Sequence, residues 1–128
     1  MGIGVDPHNA DGILSDLEEF GCPVLLVTQS AKNLNDATVD LQLAVKSRKV
    51  KYDKNNELLT WSFTNAKIVK NSFGEIKVDK EPRAKFKRID PVDACIDARV
   101  VKMKYKTKEV IDVKLELDTY LSKMGWKK

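Results

Sequence analysis

The sequence predicts an α/β fold built on parallel strands, and three observations carry that expectation. Ile3–Val5 is a short apolar run that stops at Asp6-Pro7. A stripe at helical spacing follows in Ala10, Ile13, Leu14, Leu17 and Phe20. Cys22–Val27 is then a second apolar run, partly β-branched, bounded by Gly21 and by Thr28-Gln29-Ser30. Strand, helix and strand in this order make a parallel βαβ unit with a right-handed crossover. The unbroken apolar character of the second run predicts a strand buried on both faces.

The remaining elements follow in order. Asn9 is the expected N-cap of the first helix and Gly21 its stop. A second helix is expected from near Asn33, with Leu34, Ala37, Thr38, Leu41, Ala44 and Val45 as its stripe. Lys46, Arg48, Lys49 and Lys51 suit the negative end of that helix. Glu57–Asn65 reads two ways: Leu59, Trp61 and Phe63 alternate as in a strand, whereas Leu58, Leu59, Ser62 and Ala66 fit a helical turn. Lys67–Lys70 and Ile76–Val78 flank Asn71-Ser72-Phe73-Gly74, which signals a hairpin. Asp90 can cap a last clear helix, with Pro91 at its first position, Asp93 at its third, and Val92, Cys95, Ile96, Val100 and Met103 on one face. Beyond Tyr105 the pattern blurs: Ile111, Val113, Leu115 and Leu117 alternate like a strand, while Leu117, Tyr120, Leu121 and Met124 are helix-like.

At 128 residues and 42% hydrophobic, the chain suits a single domain over 1–128, with 109–128 as a tail. Aliphatic and aromatic residues are too frequent for a disordered chain. No apolar run approaches the roughly 18 residues of a membrane span, so no membrane partner is expected. No secretory signal is visible. Cys22 and Cys95 lie in apolar segments and read as buried thiols of a reducing compartment. No GxxxxGK[ST] phosphate loop occurs, which removes an ATP-driven motor, and Asp6-Pro7-His8-Asn9 lacks the glycine-rich turn of a mononucleotide site.

The formal charge of +4 is unevenly spread. Lys80 to Lys108 holds ten basic residues against Glu81, Asp90, Asp93 and Asp97, a net +6, so the rest of the chain nets −2. Such a segment is either a solvated lysine-rich face or the footprint of a polyanion. Two aspartates stand out by position. Asp6 sits at the C-terminal end of a predicted parallel strand, the edge where ligands collect in open α/β sheets. Asp90 opens a helix within the basic segment. Carboxylates brought together from such places can hold Mg²⁺ or Mn²⁺, and a close pair of these ions can activate water against a phosphodiester. The plainer alternatives are a strand end for Asp6, a helix cap for Asp90 and a favourable first-turn acid for Asp93. Gln29 could contact a ligand or cap a loop. His8 has no nucleophile partner and reads as a surface residue. Trp61 and Asn65 read as core and turn residues.

Four segments together resemble the nuclease domain of the large subunit of tailed-phage terminases: Gly4-Val5-Asp6-Pro7-His8-Asn9-Ala10, Val27-Thr28-Gln29-Ser30, Trp61-Ser62-Phe63-Thr64-Asn65 and Arg88-Ile89-Asp90-Pro91-Val92-Asp93-Ala94. The closing Tyr120-Leu121 to Gly125-Trp126 resembles ends seen in that family. No single motif is specific; their order and spacing over most of the chain make the likeness. The resemblance implies an RNase H-like fold, here a βαβα core with an extra β-hairpin and C-terminal helices. It implies a metal-dependent endonuclease that cuts concatemeric double-stranded DNA during packaging in the host cytoplasm. It makes Asp6 and Asp90 the second and third acids of a two-metal site using Mg²⁺ or Mn²⁺, with Asp93 assisting. Lys80, Arg83, Lys85, Lys87 and Arg88 would bind DNA.

The departure from the family is its first acid, which belongs on the first strand of an antiparallel meander. Nothing before Ile3 supplies it, so the fold is expected to be incomplete and the chain weak or inactive alone. The ATPase half and the missing strands are then expected partners. The unpaired Ile3–Val5 edge would favour self-association. The competing reading is a non-catalytic DNA-binding or assembly module, a degenerate prophage remnant, which needs the basic segment but not the carboxylates.

Overall fold

The computed structural model describes residues 2–8, 10–83 and 86–125, with 106–120 described as backbone. The order of elements is β1 (Ile3–Val5), α1 (Asp11–Glu18), β2 (Val24–Leu26), α2 (Ala31–Lys46), α3 (Glu57–Asn65), β3 (Ala66–Lys70), β4 (Ile76–Lys80) and α4 (Asp90–Lys123). β1 and β2 pair in parallel, with Ile3, Gly4 and Val5 opposite Val24, Leu25 and Leu26. The ladder runs on at both ends, where Ile3 N donates to the Pro23 carbonyl (2.9 Å) and Val27 N to the Val5 carbonyl (2.8 Å). The expected βαβ unit is therefore present.

Several expectations are corrected. β2 is not buried on both faces, because Leu26 is 56% exposed. Val24 and Leu25 beside it are half-buried. Cys22 and Cys95 are free thiols but only half-buried. Asn9, the expected cap of α1, lies outside the described residues, and the N-cap position is taken by Ala10 without a side-chain bond. α1 buries no residue, and its stripe members Ile13 and Phe20 are exposed. Gly21 does end this segment, in the left-handed region at φ 69°. α2 begins at Ala31, where the Ser30 hydroxyl accepts from Asn33 N.

Glu57–Asn65 resolves as helix α3. The Asn56 side chain accepts from Leu59 N and so caps it, a local bond that settles the ambiguous pattern. Trp61 is exposed rather than core, while Ser62 and Asn65 are buried. β3 and β4 form the expected antiparallel hairpin. Its turn is organised by the Asn71 carboxamide oxygen, which accepts from Phe73 N and Glu75 N, and by Gly74 at φ 81°. The blurred stretch beyond Tyr105 is helical, and in place of separate C-terminal helices one helix runs from Asp90 to Lys123. No glycine or proline interrupts it after Pro91.

The core joins Val27, Leu34, Ala37, Leu41, Val92, Ile96 and Val101, with Leu25, Phe63, Val78 and Tyr105 packed against it. Among the residues whose side chains are described, its α4 members come from the first half of that helix. α2 packs on α4 and on β4, and the Asn35 carboxamide oxygen accepts from Ile76 N (2.9 Å) to tie hairpin to helix. β1 lies on α4 so closely that a methyl on Gly4 would sit 2.9 Å from the Asp97 carbonyl oxygen and 2.8 Å from a Val101 methyl. That approach places the end of β1 beside the first turns of α4.

Candidate active site

A cleft of ≈ 440 Å³ opens where β1 ends and α4 begins. It is lined by Asp6, Gln29, Asp90, Asp93 and Asp97, with Gly2, Ile3, Gly4, Ala94 and Ala98 forming its apolar wall. Each acid has a local reason for its place. Asp6 follows the last residue of β1, and its carboxylate accepts from His8 N (2.9 Å), an Asx turn that turns the chain away from the sheet. Asp90, Asp93 and Asp97 recur at intervals of three and four, so α4 presents them on one face.

The start of α4 is displaced by one position from the expected cap. Asp93 N donates to the Ile89 carbonyl (3.0 Å), which makes Ile89 the cap position and Asp90 the first helical residue. The orphan Val92 N–H is met by the buried Ser62 hydroxyl of α3 (3.3 Å). Asp90 is thus left exposed, with its carboxylate not spent on capping among the described bonds.

Electrostatics follow from this crowding. Burial pushes the Asp93 carboxyl up to about 6, helped by repulsion from Asp97, Asp90, Asp79 and Asp6. Burial also raises Asp97, whose shift is opposed by a hydrogen bond from Gln29 and enlarged by Asp6. The Gln29 amide nitrogen donates to the Asp97 carboxylate (2.9 Å) and to the Val27 carbonyl (2.8 Å), which pins the amide at the cleft wall. Asp97 and Asp79 were not singled out in the sequence. The i, i+3, i+7 spacing could have found Asp97; no local signal distinguishes Asp79, at the end of β4.

The site's donors are carboxylate and amide oxygens, the set that hard divalent cations prefer. Among the described residues, no group of three or more His, Cys, Asp or Glu side chains is gathered tightly enough to hold an ion. The fit is therefore one of chemistry and shared cleft, with fewer than three ligands converging.

The basic segment divides. Lys80, Arg83 and Arg88 are exposed. Lys87 instead meets Glu81 (3.4 Å), which also pairs with Lys67 (3.2 Å); these cations hold the Glu81 carboxyl below its usual range. Arg99 pairs with Asp40 of α2. Lys85 lies outside the described residues. Arg88 stands two residues before Asp90, so exposed cations flank the entrance of the helix that carries the acids.

Comparison with known proteins identifies the family. Residues 2–105 match the family model for the terminase large subunit, endonuclease domain. The chain belongs to the terminase large-subunit nuclease family. The crystal structure of the bacteriophage HK97 large terminase superposes with a TM-score of 0.65 at 23% identity, covering 79% of this chain. The match takes in 21% of that protein, so the chain spans about a fifth of its length. No curated protein matches. The family likeness first drawn from four segments is thus established, and with it a terminase-type α/β fold. No helix among the described residues is long and apolar enough to cross a membrane.

Proposed function

We propose that the chain is the RNase H-like endonuclease portion of a phage or prophage terminase, cutting concatemeric double-stranded DNA in the host cytoplasm with Mg²⁺ or Mn²⁺. The observation that carries this reading is the cleft shared by Asp6, from a strand end, and Asp90 and Asp93, from a helix start. Asp6 and Asp90 are the proposed ligands, with Asp93 beside them. Bound divalent ions would supply an activated water and charge neutralisation at the phosphodiester. Asp97 and Gln29 are placed to hold the wall rigid. Lys80, Arg83 and Arg88 are exposed and suited to backbone phosphates, with Lys85 and Lys87 as further candidates. Lys87 reaches DNA only by leaving Glu81.

The shortfall in converging ligands fits a site that needs one more carboxylate. The family likeness puts that acid on a strand beside β1, and the same strand would cover the Ile3–Val5 edge. We infer that terminase segments outside this chain, including its ATPase half, are partners. In their absence the edge recruits a second copy.

Calorimetric titration with Mn²⁺, paired with plasmid cleavage, tests the reading. Wild-type chain is expected to bind Mn²⁺, Asp6→Asn and Asp90→Asn to lose that binding, and cleavage to be weak. Robust Mn²⁺-dependent cleavage lost in Asp90→Ala would show that no further acid is required. DNA binding with no Mn²⁺ binding at all would favour the non-catalytic module, whose support is the net +6 segment.

A further inference from the structure

Two surface features lie outside the carboxylate cleft and complement each other. The first is a groove of ≈ 790 Å³ between α2, α3 and α4. Leu41, Val45, Val50, Leu59 and Phe63 make it apolar. Cys95 and Arg99 bring α4 to it, on the side of that helix opposite Asp90, Asp93 and Asp97. Arg48, Lys51 and Arg99 are its charged members, and no acid lines it among the described residues. Arg99 is held by Asp40, but Arg48 and Lys51 are exposed and make no ion pair among the described residues. Arg48 follows the cap of α2 at φ 56°, a backbone region that favours glycine, so this cation is kept against a conformational preference. Lys46 to Lys54 as a whole carries a net +4.

The second feature is α1. Ile13, Leu17 and Phe20 recur at i, i+4 and i+7, the anchor spacing of a helix that lies in a groove. Ile13 and Phe20 are exposed and Leu17 is half-buried. Phe20 continues the helical path through its N–H bond to the Leu17 carbonyl (3.2 Å). The segment is acidic: Asp11, Asp16, Glu18 and Glu19, with no basic residue from 11 to 20, give it a net −4. Both features are open in the same chain, so α1 does not fill the groove of its own molecule. Their openness contributes to an accessible surface of 10180 Å², against about 6,900 Å² for a compact monomer of this mass.

We propose that α1 of one copy of this chain docks in the groove of a second copy. Ile13, Leu17 and Phe20 then lie on its apolar lining, and Asp16 and Glu19, on one flank of the stripe, meet Arg48 and Lys51. Opposite net charges on the two surfaces favour this occupant. DNA suits the groove less, because Leu41, Leu59 and Phe63 offer nothing to a phosphate backbone. A small molecule would stay largely uncovered, since Val45, Tyr52, Thr60 and Thr64 on the walls are themselves exposed. The two surfaces differ, so the contact is head-to-tail, and each pair keeps a free α1 at one end and a free groove at the other. An interface made by one short helix is small, so the association is reversible and weakens with salt.

Fluorescence anisotropy between labelled and unlabelled variants tests the proposal. Phe20→Asp removes the α1 anchor and keeps the groove. The double variant Arg48→Glu, Lys51→Glu reverses the charge of the groove and keeps α1. Mixed together, the two are expected to bind, because one intact groove meets one intact α1. That binding is expected to be at least about tenfold tighter than either variant binding itself. Equal affinity in the mixed and self pairings would overturn the proposal and assign the contact to the Ile3–Val5 edge, which both variants retain. Equal affinity together with DNA binding lost only in the groove variant would overturn it in favour of nucleic acid. No binding in the mixture would overturn it as well, provided that both variants keep the far-ultraviolet spectrum of the wild type. If either loses it, the milder pair Phe20→Ser and Lys51→Glu is read by the same criteria.

Discussion

Asp93 carries its charge at a cost. Its carboxyl is held near 6 in the folded chain against 3.8 for an unperturbed aspartate. Below about pH 4 both folded and unfolded chains hold that proton, and between there and about 6 only the folded chain does. This group's stabilising contribution is therefore present in acid and lost as pH rises through 6. Asp93→Asn should stabilise the chain at pH 7 by about 1 kcal/mol, after allowance for solvent screening of a half-exposed group, and by much less at pH 4. Urea unfolding at the two pH values measures this, and equal effects at both would refute it. Added Mn²⁺ should reverse the order, protecting the wild type more than the variant. Gly4 is constrained in another way, since a methyl there meets the Asp97 backbone, which cannot rotate away. Gly4→Ala should cost about 1–3 kcal/mol in the same assay. An unchanged midpoint would show that β1 can lift from α4 freely.

Among the elements, α4 depends on α3 for its start. The Ser62 hydroxyl is the partner of the Val92 N–H, and both groups are buried. Ser62→Ala should leave that donor unpaired and lower stability by about 1–2 kcal/mol in thermal unfolding. A change under a few tenths would mean that water replaces the hydroxyl. This bond joins residues thirty apart in sequence, and it marks the limit of what a linear reading can see. β1, β2, the hairpin and the onset of α4 were legible because apolar runs, Asn71–Gly74 and Asp90-Pro91 are local signals. So were Asp6, Asp90 and Asp93 as candidates. α3 was ambiguous because Leu59, Trp61 and Phe63 satisfy both periods, and only the Asn56 cap decides between them. Asp97 was passed over because its importance comes from Gln29 and Gly4, which only the fold brings to it. The distal half of α4 is ambiguous in sequence because Ile111, Val113, Leu115 and Leu117 alternate within an uninterrupted helix.

For the whole molecule, the large accessible surface has specific contributors. Ile13 of α1, Phe20 just beyond its end and Leu26 of β2 are exposed on the βαβ unit, 51%, 75% and 56% respectively. Small-angle scattering should give a radius of gyration well above the roughly 14 Å of a compact chain of this length. A value near 14 Å would show that the helix end folds back on the body.

An uninterrupted helix is also a lever. Asp90 and Asp97 are separated by seven residues, or about 10 Å along the axis, and the contact with Gly4 lies at Asp97. The other end, at Lys123, is about 39 Å beyond that fulcrum. With no hinge between them, a tilt of about 5° around Gly4 carries Asp90 roughly 1 Å relative to Asp6 and the far tip more than 3 Å. A load borne at the tip is therefore delivered, reduced in stroke and raised in force, to the spacing of the carboxylates.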